Sequence, residues 1–99
     1  MQLVITDLRT EFGAIAGDVY VRDGGNLTLV GVIDGTLTVG VGGYAHVCGT
    51  VQHLVVRDAG GALLEGRCTG NASNLGGELT VRGGTVDGSL SGYVNTDNA

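Results

Sequence analysis

The sequence returns to nearly the same phrase at a fixed interval, and that interval constrains the fold more than any other property. Gly-Gly pairs begin at Gly24, Gly42 and Gly60, a step of 18 each time. Gly13, Gly31 and Gly49 keep the same step, as do three apolar sets: Ile15, Ile33 and Val51; Val19, Leu37 and Val55; Leu27, Ala45 and Leu63. Two further pairs begin at Gly76 and Gly83, so the interval drifts toward the C-terminus. Between the glycines, apolar residues alternate with polar ones: Val19 and Val21, Leu27 and Leu29, Ile33, Leu37 and Val39, with Thr28, Asp34, Thr36 and Thr38 between them. A period of two is strand periodicity, with alternate side chains on one side of the backbone. Short strands cut by glycine corners at an 18-residue step predict an all-β fold, a parallel β-helix of about five turns. Equivalent residues then stack about 4.8 Å apart, apolar on apolar inside and glycine at corners that need unusual dihedrals.

"VYVRDGG" and "LVVRDAGG" are then one corner of the coil met two turns apart. Ala59 reads as an extra residue in the later copy, offset by "GTVQHL" being one residue shorter than "GVIDGTL", so that Gly60 returns to register. "GTVDGSL" over 84–90 is a later echo. The pattern weakens at both ends. Within residues 1–12, "LVI" suits a strand and "TDLRTEF" a short helical turn with Thr6 as its N-cap, the segment lying across the coil as a cap. "GNASNLGG" at 70–77 breaks the alternation and reads as a bulged loop, and the polar residues 95–99 read as a frayed tail. The layout is a cap at 1–12, a β-helix at 13–94 and a tail at 95–99.

Composition agrees. Twenty glycines in 99 residues, with 42% apolar residues rich in Val and Leu, weaken helices and favour strands. The length is that of one domain. There is no lysine and the net charge is −5, which opposes nucleic-acid binding. No apolar run is long enough to span a bilayer. "MQLVI" is too short for a signal-peptide core and has no basic residue ahead of it, so a cytoplasmic location is expected.

Candidate chemistry is sparse. His46 and His53 fall on different sides of such a coil. Cys48 points the same way as His46, which allows a thiol–imidazole pair, although two exposed strand residues are the simpler reading. Cys68 joins the file of Ile33 and Val51 and should be buried, while Cys48 faces out, so no disulfide is expected. Calcium-binding β-helix repeats need an aspartate after the Gly-Gly pair, and "NLTL" and "YAHV" supply none. Thr36 and Thr38 form a single Thr-x-Thr, too little for the flat threonine rows of ice binding. No catalytic, cofactor or metal residues are expected, nor enzymatic activity. Tyr20 and Tyr44, with Val30 and Val32, offer an apolar side face for a partner.

The passages "GDVYVRDGGNLTLVGVIDGTLTV", "GTVQHLVVRDAGGALLEG" and "GGTVDGSLSG" resemble the core of the bactofilins, polymer-forming bacterial cytoskeletal proteins. The likeness covers roughly residues 13–92 and lies in the recurring G-x-[VI]-x-G-x-L-x-V phrase. It implies a right-handed, three-sided β-helix that joins end to end through its terminal turns, without nucleotide. The joining surfaces it implies are Leu3, Val4 and Ile5 at one end and Val86, Leu90 and Val94 at the other. Gly-Gly between short strands is also similar to the glycine-rich passenger repeats of autotransporter adhesins. The left-handed β-helix of hexapeptide acyltransferases has 18-residue turns too, but with a small-residue signature every six residues that this chain lacks. The leading expectation is a non-enzymatic scaffold whose partner is a second copy of itself. The alternative is a small acidic binding protein, such as an inhibitor or immunity protein, set against a basic protein partner.

Overall fold

The computed structural model describes residues 2–92 and 95–97, with side chains described over 4–92. All the regular structure is β, wound as a solenoid of about five turns. The first turn carries β1 (Gln2–Ile5), β2 (Leu8–Glu11) and β3 (Ala14–Ala16). The second carries β4 (Asp18–Val21), β5 (Asn26–Leu29) and the start of β6 (Val32–Val39). β6 runs through a corner into the third turn, which continues with β7 (Tyr44–Val47) and the start of β8 (Thr50–Arg57). β9 (Gly61–Leu64) and β10 (Arg67–Cys68) complete the fourth, and β11 (Ala72–Leu75), β12 (Glu78–Arg82) and β13 (Thr85–Val86) form the fifth. β14 (Leu90–Ser91) and β15 (Asn95–Asp97) lie on the next. Each full turn thus has three sides, and neighbouring turns pair in parallel. The Cα trace measures 29 × 25 × 23 Å.

Five inward files make the core. The first side stacks Val19, Leu37, Leu54, Ala72 and Leu90, and beside them Ile5, Val21, Val39, Val56 and Asn74. The second stacks Arg9, Leu27, Ala45, Ala62 and Leu79, and beside them Glu11, Leu29, Val47, Leu64 and Val81. The third stacks Ile15, Ile33, Val51, Cys68 and Val86. Most members between the two ends are fully buried. Each such aliphatic contributes about 1.5–3 kcal/mol by leaving water, so the stack, not any single turn, holds the fold.

The files first depart from the expected step between β6 and β8. Between Ile33 and Thr36 of β6 lie Asp34 and Gly35, whereas between Val51 and His53 of β8 lies only Gln52. From there the step is 17 at Leu37 to Leu54, Ala45 to Ala62 and Val51 to Cys68; it is 18 at Leu54 to Ala72, 17 again at Ala62 to Leu79 and 18 at Cys68 to Val86. Leu54, not Val55, stacks on Leu37, and Ala62, not Leu63, stacks on Ala45. Val55 and Leu63 face outward, half-buried. Ala59 is therefore a replacement rather than an insertion. It takes the corner position held by Gly24 and Gly42, with φ of 61° beside their 82° and 75°. Gly60 then aligns with Gly25 and Gly43, since Gly61 pairs with Tyr44.

The ends also differ from expectation. Residues 2–11 do not cap the coil; they are its first turn, with β1 on β4 and β2 on β5. The helical turn expected over "TDLRTEF" is strand β2, because pairing with β5 satisfies its backbone. "GNASNLGG" contains strand β11 rather than a loop, and its break in alternation is Asn74, buried in an inward file. The Asn74 amide donates to Gly77 O (2.9 Å) and accepts from Gly77 N–H (2.8 Å), which makes a polar residue tolerable inside. Asn95–Asp97 of the expected tail pair with β12.

Two corners hold the turns together. At one, Gly13, Gly31, Gly49 and Gly66 stack so closely that a Cβ on Gly31, Gly49 or Gly66 would strike the carbonyl oxygen of the glycine beneath. Those carbonyls accept from Val32, Thr50 and Arg67 N–H at 3.1, 3.0 and 2.9 Å. At another, side chains reach one turn up to cap backbone donors. Asp18 Oδ1 accepts from Thr36 N–H (3.0 Å), His53 Nδ1 from Asn71 N–H (3.0 Å) and Asn71 Oδ1 from Ser89 N–H (2.9 Å).

Candidate functional site

The ends of the coil are the first candidate. On the first turn, Ile5 is 2% exposed and already part of the core, Val4 points outward at 46%, and the backbone of Leu3 pairs with that of Val19. β2 reverses the pattern of the strands stacked on it. Arg9 and Glu11 occupy the files that Leu27 and Leu29 continue, while Leu8 and Phe12 are exposed at 77% and 74%. Arg9 and Glu11 pair with each other at 3.1 Å. Inward charges on an edge strand oppose further strand addition. At the other end, Val81 and Val86 are half-buried, and Leu90, in the file of Leu54 and Ala72, is 46% exposed. Val94 lies outside the described residues.

The four residues expected to form one side face are spread around the coil. Tyr20 stands on the first side and Tyr44 on the second, beside a groove over Gly60 and Gly61. Val30 follows β5 at the next corner, and Val32 begins the third side. Period-two alternation identifies which of them face out, but not which faces they share, because a coil turns its strands away from one another.

The structure brings together one constellation that the sequence reading only half assembled. His46 of β7 and Cys48, the residue after its end, lie on either side of buried Val47. Cys48 Sγ lies 3.4 Å from His46 Nε2. Glu65 stands over Cys48 on the next turn, placed there by its own N–H donating to Val47 O at 2.8 Å. Its Oε1 is in hydrogen-bond contact with the same His46 Nε2. The side chains of His46 and Glu65 are 31% and 35% exposed. Glu65 was missed because an 18-residue step puts Gly66, not Glu65, above Cys48; the 17-residue step would have found it.

Cys68 is buried in the third-side file, its thiol facing the carbonyls of Gln52 (3.4 Å) and Asn71 (3.5 Å). Burial pushes this thiol above its ordinary value of 9.0, and Asp87 adds to the rise. Both cysteines are free, Cys48 exposed and Cys68 buried. Among the described residues no helix is long and apolar enough to cross a membrane. No family model, curated protein or solved structure matches this chain, so the arrangement of its own residues carries the functional argument.

Proposed function

We propose that this chain is a non-enzymatic structural protein, a self-assembling β-helical scaffold of the bactofilin kind, whose coils meet end to end. The supporting observation is Leu90. It continues a file that is fully buried at Leu37, Leu54 and Ala72, yet is itself 46% exposed beside half-buried Val86. An apolar file that reaches the surface is stabilised by a cover of the same chemistry, and a second copy supplies it. Head-to-tail stacking would set Arg9 and Glu11 against β15, which pairs with β12 on the same side, at a desolvation cost. Tail-to-tail contact avoids that cost and is isologous. Longer assemblies need a second joint at the other end, where Arg9 of one copy faces Glu11 of another; that joint is ionic and yields to salt.

Sedimentation and negative-stain microscopy test this directly. The wild-type protein should form dimers at high salt and longer particles at low salt. Leu90→Asp should yield monomers with an unchanged circular dichroism spectrum. Uniform wild-type monomers at high concentration would remove the scaffold reading. If such a monomer instead held a basic protein in a stoichiometric complex, the small acidic binding protein would take its place.

A further inference from the structure

We propose that His46, Cys48 and Glu65 form a binding site for a divalent transition-metal ion of the zinc class. The three are the described residues whose ligand atoms converge, all within 4.8 Å of one another. Nitrogen, sulfur and carboxylate oxygen together suit a borderline-soft cation, whereas calcium and magnesium take oxygen alone.

The geometry separates a ligand set from a nucleophile relay. In a relay the thiol faces one ring nitrogen and the carboxylate holds the other. In this cluster both approach the same atom, His46 Nε2. A single proton on that nitrogen serves two acceptors poorly, and a cation at the point of convergence serves all three donors. Tetrahedral zinc at ordinary bond lengths separates nitrogen and sulfur ligands by roughly 3.5 Å; Cys48 Sγ and His46 Nε2 are 3.4 Å apart. The carboxylate swings back to admit the ion, and the thiol binds as thiolate, releasing its proton to water.

His46 lies in β7, and Cys48 and Glu65 are the residues directly after β7 and β9. His46 and Cys48 flank buried Val47, and their side chains meet outside it, with Sγ 3.4 Å from Nε2. Glu65 is locked one turn above by Val47 and Leu64, which are paired and fully buried. Three protein donors leave a fourth position for water, and the exposure of His46 and Glu65 keeps that position open to solvent.

Cobalt(II) titration of the whole protein tests the site, with zinc as competitor. One equivalent should bind, with a thiolate-to-cobalt charge-transfer band that zinc abolishes. Cys48→Ser should lose the band, although Cys68 remains. His46→Gln and Glu65→Gln should each weaken zinc binding at least about 10–100-fold, the range seen for loss of even an outer-shell partner. Zinc should also protect Cys48 of the wild-type protein from alkylation, a measurement that needs no variant and reads Cys48 alone because Cys68 is buried. Cobalt binding without the thiolate band, unchanged zinc affinity in the variants, or alkylation indifferent to zinc would each overturn the assignment. Every readout is independent of whether the coils join.

Discussion

The two ends of the coil finish some of its files with different chemistry. At the first turn, two files that are aliphatic at the next turn end in Arg9 and Glu11, paired with each other. At the last, two files end in half-buried Val86 and exposed Leu90, while Val81 pairs onward with Thr96 of β15. A stack of strands has no intrinsic stopping point, since every rung offers unpaired backbone to the next. The comparison teaches that side-chain chemistry on the edge rung decides whether a solenoid is closed or sticky, while its backbone is the same at both ends.

The largest effect that would sharpen this comparison lies in one glycine file. Gly49→Ala should cost at least about 3 kcal/mol, because its Cβ meets the backbone of Gly31. Gly13→Ala, one end of the same file, should change stability by less than about 0.5 kcal/mol, because only Glu11 Oε1 lies near, at 3.8 Å. Chemical denaturation of both variants checks the pair, and equal losses would contradict the stacking. Next comes a conversion of one end into the other. Arg9→Leu combined with Glu11→Leu should replace the salt-sensitive joint by a salt-resistant one, with each leucine buried in the contact contributing about 1.5–3 kcal/mol. Sedimentation at high salt should then show particles longer than dimers; dimers alone would mean the first turn is not a joint. The smallest effect concerns a corner. Ala59→Gly should stabilise the fold by about 1 kcal/mol, because Ala59 sits at φ 61° where the equivalent corner positions are glycine. A lower melting temperature would show that the Ala59 methyl contributes packing that outweighs its strain.

Much of the architecture was legible because glycine and aliphatic residues recur where a stacked corner and a buried file require them. Ile15, Ile33 and Val51 stack as their spacing predicts, and Cys68 joins them. The step of 17 was hidden because both neighbours at each affected position are apolar. Leu54 or Val55, and Ala62 or Leu63, satisfy alternation equally, and only the tertiary register chooses. The first turn was misread for the opposite reason: its inward residues are charged, so alternation points the wrong way over Leu8, Arg9, Thr10 and Glu11. The His46–Cys48–Glu65 cluster was half legible, since two members are two residues apart in sequence and the third arrives across a turn boundary whose length had to be known first.

The glycine file has a consequence for how such a chain can change length. A single-residue insertion beside Gly31 or Gly49 would push a side chain into the carbonyl below, so that edge of the prism acts as a fixed spine. The corner where Asp34 and Gly35 face Gln52 has already absorbed a difference of one residue without disturbing the file on either flank. Growth by copying a whole turn leaves the spine in phase, and guest peptides belong at the forgiving corner. The coil is therefore modular along its axis, and its corners take up differences of one residue, as where Glu65 and Gly66 face the three residues between Val81 and Thr85.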